Sequence, residues 1–284
     1  MARKISASRK YRRTLLTVTA GIMTICFFCL TLAVAVMIQF GVEQTALSLF
    51  NDEVYYAPQS ETLTRRTEEL TRQCGLPEEI VTGVFDSEEI LAFTKEYTLR
   101  RLKGFDGELN TEPVKERLRA NLYNYMEDHG ISKALLDMDA LRQYLSQAAS
   151  IYGQTVNNGF VVNYHTLSDT VVRPAIAGAL AAVLLAALCM VYMYKISGMR
   201  RKMLSYTIRA AVAASMLCGA IAVWRFVLGG QTGFAGSPEY IAGLCRRFED
   251  FFFKQFAAAM AVWLAVSGCL ALAMMKIKHG KKTV

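Results

Sequence analysis

The chain has 284 residues, of which 53% are hydrophobic and 20% are charged, and its formal net charge is +8. Its mean hydropathy is +0.25. A soluble domain normally carries about 25% charged residues. The hydrophobic residues lie in a few long uncharged runs and the acidic residues lie elsewhere, which excludes a single soluble globular domain.

The charge is divided unequally along the chain. Residues 43–172 hold 21 of the 24 acidic residues and 12 of the 32 basic ones, a net charge of −9, while the remaining residues sum to +17. The basic residues adjoin the apolar runs and do not form one basic folded region. The positive charge therefore indicates orientation in a membrane and argues against binding of nucleic acid.

Four apolar runs are long enough for transmembrane helices, since about 20 apolar residues cross the hydrocarbon core. We predict these spans at residues 15–41, 173–195, 206–228 and 256–276. Basic flanks, which remain in the cytoplasm, occur at residues 1–14, 196–205 and 277–284. Both termini are therefore predicted to be cytoplasmic, in a bacterial cytoplasmic membrane. Residues 42–172 and the loop 229–255 are predicted to face outward.

The first apolar run has a second interpretation. A basic segment, an apolar core and Ala33-Val34-Ala35 also fit a cleavable signal peptide. The apolar run is about twice as long as the core of a signal peptide and continues through Phe40, which favours an uncleaved anchor.

Residues 42–172 show helix signals and almost no alternation typical of strands, so a small all-helical domain is predicted. The helices are expected at Ser60 to Gln73, as a short turn over Pro77 to Val84, from Ser87 to Gly104, from Thr111 to Gly130, and around Leu135 to Ile151. Their apolar stripes are expected to form the core of the domain. We also expect the first span to continue as one helix through Leu49. The predicted fold class is all-α: a polytopic membrane protein with four transmembrane helices and a small helical extracytoplasmic domain between the first two.

The loop 229–255 combines glycines with a predicted interfacial helix. Glycines occupy positions 229, 230, 233 and 236, and Ser237-Pro238-Glu239 is a typical helix start. The helix that follows carries the aromatic residues Phe248, Phe251, Phe252 and Phe253. Such a segment is predicted to lie in the membrane interface, either as an anchor of the fourth span or as a surface for lipid or a partner.

No motif for catalysis, metal binding or cofactor binding is recognisable in the sequence. The three histidines, His129, His165 and His279, lack metal-ligand spacing, and the glycines at 229–236 are not a phosphate loop. No carboxylate or histidine is predicted at membrane depth, which argues against proton-coupled or cation-coupled transport. Arg225 lies near one end of the third span and is expected to extend outward. We therefore predict a non-enzymatic protein without cofactors.

Small residues recur at four-residue spacing in three spans, which permits close approach of helices. They are Gly178, Ala182 and Ala186 in the second span, Ala211, Ser215 and Gly219 in the third, and Ala257, Ala261 and Ala265 in the fourth. Packing within the chain is the first interpretation of these faces. Association with a protein partner or with a second copy is the alternative.

Two of the seven cysteines, Cys74 and Cys245, are predicted outside the membrane. An oxidising location would permit a disulfide between them. Their spacing does not fix the distance, so the pairing is left open.

The order of segments resembles uncharacterised membrane proteins of Gram-positive bacteria. The resemblance rests on segments such as Gly75-Leu76-Pro77 to Phe85 and Glu88-Glu89-Ile90 to Lys103 between one span and a three-span cluster. The order is also similar to permeases of the FtsX and MacB types, which implies coupling to a cytoplasmic ATPase. Here only 14 residues precede the first span, and the predicted loop at 196–205 is short.

We predict a non-enzymatic envelope protein whose outer domain binds a partner or senses a state, while the spans anchor it in the lipid bilayer or relay a signal. The alternative is a permease-like subunit coupled to an ATPase.

Overall fold

The computed structural model describes residues 2–227 and 238–279, and every regular element in these residues is a helix. The predicted all-α class is therefore confirmed for this part of the chain. The α-helices are α1 (Ala2–Gly41), α2 (Glu43–Leu49), α3 (Ala57–Gln73), α4 (Glu88–Leu102), α5 (Glu112–Asp128), α6 (Met138–Val156), α7 (Gly159–Ser197), α8 (Arg200–Phe226) and α9 (Glu239–His279). A π-helix at Asp52–Tyr56 precedes α3, and 3-10 turns occupy Glu78–Val81 and Lys133–Leu135.

Four of these helices, α1, α7, α8 and α9, are long and apolar enough to cross a membrane, which confirms that prediction of the sequence. Three of them, α1, α7 and α9, begin well before the predicted spans. Helix α7 starts at Gly159, and α9 is one continuous helix that includes both the predicted interfacial segment and the predicted fourth span. The predicted glycine stretch at 229–236 and the predicted cap Ser237 lie outside the described residues.

The chain forms two compact units. We call the first the span unit; it comprises Met1–Val42, Thr170–Gly233 and Phe248–Val284. We call the second the globular unit; it comprises Glu43–Asp169 and Phe234–Arg247. Helices α7 and α9 contribute residues to both units.

Helix α1 contacts the other three long helices inside the span unit. It packs against α8, and one buried cluster joins residues of α1, α7 and α8. Trp263 of α9 stacks on Phe27 of α1 with ring centroids 4.4 Å apart, and its indole Nε1 donates a hydrogen bond to Thr31 Oγ1 at 2.8 Å. The expected continuation of α1 through Leu49 is wrong, because the helix ends at Gly41 and α2 begins at Glu43.

The core of the globular unit is formed by the apolar faces of α3 to α6. Leu118 of α5 is completely buried, and Tyr152 of α6 is 1% exposed with its hydroxyl 2.9 Å from Thr94 Oγ1. Helices α5 and α6 supply most of the buried residues of this core, some of them from the predicted stripes, and the short 3-10 turn adds Ile80 and Val81. Burial of these side chains provides the main driving force for folding of the unit.

Local sequence signals determine where these helices begin and end. Gly75 has a φ of 70° after α3, and Leu76 N–H bonds to the Thr71 carbonyl at 3.0 Å, a glycine-terminated helix end. At the N-terminus of α6, Asp137 Oδ1 accepts hydrogen bonds from the N–H groups of Asp139 and Ala140 at 2.9 and 3.2 Å and caps the helix. Helices α3, α4 and α5 consequently start and stop within three residues of the predicted positions. The expectation that the last helix contains Leu135 is wrong, because α6 starts at Met138, after the 3-10 turn.

Candidate functional site

A groove of about 880 Å³ lies in the globular unit between α3, α4 and the beginning of α9. Small-molecule sites typically occupy roughly 300–1,000 Å³. Ten of its 14 lining residues carry polar side chains, and six of these are charged. The charged residues are Glu61, Arg65, Glu68, Asp86, Lys95 and Glu239.

Helix α3 supplies one wall of the groove. Its second residue is Pro58, which is tolerated because the first N–H groups of a helix have no partner within the helix. Glu61, Arg65 and Glu68 follow at intervals of four and three residues, so they lie on the same face. On the opposite wall, Lys95 of α4 lies over the ring of Tyr56, with its Nζ 5.6 Å from the ring centroid.

The charges in the groove are not neutralised by one another. Four carboxylates and two cations line it, which is a formal charge of −2. Within residues 2–227 and 238–279, no ion pair involves Glu61, Arg65, Glu68, Asp86 or Glu239. The groove therefore offers charged groups of both signs to a ligand.

A buried hydrogen-bond network lies behind the groove, beside Tyr56. We call it the tyrosine network, and it consists of Tyr55, Gln59, Thr155, Asn158 and Tyr240. The Tyr55 hydroxyl accepts hydrogen bonds from Asn158 Nδ2 at 2.8 Å and from Gln59 Nε2 at 3.4 Å. Gln59 Nε2 and the Tyr240 hydroxyl both donate to the Thr155 carbonyl, at 3.3 and 3.4 Å. Burial raises the pKa of the Tyr55 phenol far above its ordinary value, so this phenol stays neutral.

The π-helix Asp52–Tyr56 positions the two tyrosines. The N–H groups of Tyr55 and Tyr56 both bond to the Asn51 carbonyl, at 3.1 and 3.3 Å. Tyr55 is thereby buried in the network, while its neighbour Tyr56 lines the groove. Short π-helical segments are common at functional sites.

The beginning of α9 packs closely on this π-helix. A Cβ atom at Gly243 would lie 3.1 Å from Val54 Cγ1 and 3.2 Å from the Val54 carbonyl oxygen, so the absence of a side chain permits the approach. The rings of Tyr240 and Tyr55 meet edge to face with centroids 5.7 Å apart. Since Glu239 lines the groove, consecutive residues of α9 contribute to the groove and to the tyrosine network.

The predicted small-residue faces differ in their surroundings within the span unit. Ala182 and Ala186 of α7 are buried in the cluster shared with α1 and α8, whereas Gly178 is exposed. On α9, the predicted face is largely outward: Ala261 and Ala265 are exposed.

Helix α8 carries the most closely packed of these faces. Ala211 is completely buried, and Ser215 donates a hydrogen bond from Oγ to the Met260 carbonyl of α9 at 3.1 Å. A Cβ atom at Gly219 would lie 2.7 Å from Met260 Sδ. Small side chains on α8 therefore allow it to approach α9 closely.

The predicted interfacial phenylalanines pack partly against other helices of the span unit. Phe248 is buried, and its carbonyl accepts a hydrogen bond from Gln39 Nε2 of α1 at 3.1 Å. Phe252 and Phe253 contact one another with ring centroids 5.8 Å apart, and Phe251 is half-buried. Their location in a membrane interface stays a prediction.

The two cysteines of the globular unit are both thiols in this structure. Cys74 is exposed at the end of α3, and Cys245 is half-buried on α9. Formation of a disulfide between them stays a prediction, which non-reducing mass spectrometry of the protein tests.

The span unit contains an ion cluster that the sequence pattern did not predict. Arg225 of α8 does not extend freely outward. Its Nη2 lies 2.8 Å from Asp250 Oδ1 and 3.5 Å from Glu249 Oε2 of α9, and its guanidinium lies over the Phe253 ring. The sequence does contain a sign of this cluster, because Glu249 and Asp250 are two of the only three acidic residues outside 43–172.

The sequence matches no protein-family model, and no curated protein or solved structure is significantly similar to it. The class of this protein is therefore described by its architecture alone, as an all-helical protein with four helices long and apolar enough to span a membrane.

Proposed function

We propose that the chain is a non-enzymatic integral protein of a bacterial cytoplasmic membrane, in which the globular unit binds a ligand or partner and the four long helices anchor it. The groove carries this proposal, because five of its charged side chains form no ion pair within the described residues: Glu61, Arg65, Glu68, Asp86 and Glu239. The basic flanks of the spans support a position of the globular unit on the outer side of the membrane.

Helix α9 supports a role in relaying the bound state. Glu239 lines the groove, Tyr240 belongs to the tyrosine network, and the same helix continues to His279. A ligand that contacts Glu239 would act directly on a helix that is long and apolar enough to cross the membrane. Such a ligand shifts the protein between states only if it binds them with different affinities.

The proposed topology predicts that Cys74 reacts with a membrane-impermeant maleimide in intact cells. Cys74 is an exposed thiol of the globular unit, and an impermeant reductant is added first to reopen any disulfide. A Cys74→Ser variant measures labelling at other thiols, and a Ser8→Cys variant in that background reports the N-terminal tail. We expect labelling of Cys74 in intact cells and of position 8 only after lysis. Protection of Cys74 until lysis would place the globular unit in the cytoplasm.

Ligand or partner binding is tested by photocrosslinking from the groove in the full-length protein. A photoreactive amino acid is placed at Thr64, which lines the groove, or at Glu116, an exposed residue on α5 outside it. We expect a defined adduct from position 64, identified by mass spectrometry, and none of that mass from position 116. A Glu61→Trp substitution that fills the groove is expected to suppress the adduct. Identical adducts from both positions, or an adduct from neither, would contradict the proposal.

A further inference from the structure

We propose that the groove between α3, α4 and the start of α9 binds a short cationic peptide with a free carboxyl end. This inference rests on the proposed function and adds the chemical class of the ligand.

The excess of carboxylates in the groove favours a ligand with a positive charge. Four carboxylates and two cations leave the groove with a formal charge of −2. In the described part of the chain, the carboxylates are not engaged in ion pairs that a ligand would first have to break. Ammonium or guanidinium groups of a ligand therefore gain charge-assisted hydrogen bonds there.

The two cations argue for a zwitterionic ligand over a simple polyamine. Arg65 lies between Glu61 and Glu68 on α3, and Lys95 is positioned over the Tyr56 ring. An amine without an anionic group would be repelled by both cations. A carboxylate on the same molecule pairs with Arg65, whose planar guanidinium suits two parallel hydrogen bonds to it.

The spacing of the acids indicates the length of the ligand. Glu61 and Glu68 are seven residues apart on one helix, a rise of about 10 Å. Extended peptide rises about 3.3 Å per residue, so roughly three residues cover this distance. The hydroxyl groups of Ser60 and Thr64 along the same wall can bond to the peptide backbone.

The lining does not favour a metal ion as the ligand. Among the described residues, no group of three or more histidine, cysteine or acidic side chains is arranged to hold a metal. A peptide satisfies charges of both signs, whereas a metal ion would satisfy only the acids.

The test uses the full-length protein in a neutral maltoside detergent and trilysine as the probe, with binding measured by calorimetry at about 50 and about 300 mM salt. We expect binding that weakens at the higher salt concentration, since exposed charges are screened. The double variant Glu61→Gln/Glu68→Gln is expected to bind trilysine about tenfold more weakly, the magnitude of two solvent-accessible ion pairs. The matched control Glu116→Gln/Glu127→Gln removes two exposed acids of α5 and is expected to bind as the unmodified protein does.

A second comparison tests the carboxylate end. The variant Arg65→Gln is expected to weaken binding of trilysine several-fold and to strengthen binding of C-terminally amidated trilysine, because the substitution removes a cation that repels this peptide. Equal weakening for both peptides would contradict the assignment of Arg65. No measurable binding of trilysine, or equal loss in the groove and control variants, would overturn the proposal. If the Thr64 adduct forms nonetheless, only the ligand class is wrong; if that adduct also fails, the proposed function fails with it.

Discussion

Replacing Arg225 with glutamine is expected to lower the free energy of unfolding by about 3 kcal/mol. The Arg225 side chain is 11% exposed and lies between the carboxylates of Glu249 and Asp250. Glutamine cannot neutralise them, and the Glu249 side chain, only 21% exposed, would keep a poorly solvated charge. Removing one partner of a buried ion pair costs more than the pair itself contributes, because the remaining charge has lost its compensation.

The measurement is thermal unfolding of the purified protein in detergent micelles. We expect the midpoint of the Arg225→Gln variant to fall by roughly 6 °C or more. Arg142→Gln is the matched control: Arg142 pairs with Asp139 at 3.0 Å, but both side chains are at least 80% exposed, so little change is expected.

A second variant separates the charge effect from loss of packing. In Arg225→Gln/Glu249→Gln the less exposed carboxylate is removed together with the arginine, and part of the stability is expected to return. Equal destabilisation in the single and double variants would show that lost packing around Phe253 dominates. Equal midpoints for Arg225→Gln and Arg142→Gln would show that the cluster contributes no more than a surface pair.

The sequence predicted those features that depend on neighbouring residues. The helix ends at Gly75 and Gly130 are set by local backbone geometry, and the span helices by length and apolarity. The cap of α6 at Asp137 was missed, because the helix was expected to include Leu135. The break at Val42 was missed because the apolar pattern runs on through it, and an apolar run carries no information about a single non-helical residue.

The candidate site could not be predicted from the sequence, because its residues are far apart along the chain. Asn158 and Tyr55 are 103 residues apart, and Tyr240 and Thr155 are 85 residues apart. A helical periodicity indicates which face of a helix is buried, but not which helix covers it. The acids of α3 were consequently interpretable only as a solvated face until α4 and α9 provided the other walls of the groove.

The second large effect is expected on replacing Gly219 of α8 with leucine. A Cβ atom there would lie 2.7 Å from Met260 Sδ of α9. Met260 has a flexible side chain, so alanine would require only a small movement of its sulfur. Leucine adds three further carbon atoms, which the contact between α8 and α9 cannot accommodate without separation of the helices. The expected loss is about 2 kcal/mol, within the range for overpacked cores.

Gly178 of α7 provides the matched control, because a Cβ atom built on it meets no described atom within 4 Å apart from its chain neighbours and the adjacent backbone of its own helix. Both substitutions replace glycine with leucine inside a long helix, so each gains similar helix propensity, and the difference between them isolates packing. In detergent micelles we expect a lower unfolding midpoint for Gly219→Leu than for Gly178→Leu. A similar midpoint for both would mean that α8 and α9 are not held together through Gly219. The Ser215 hydrogen bond to the Met260 carbonyl, one turn away, would then have to account for the contact, and Ser215→Ala measures that contribution directly.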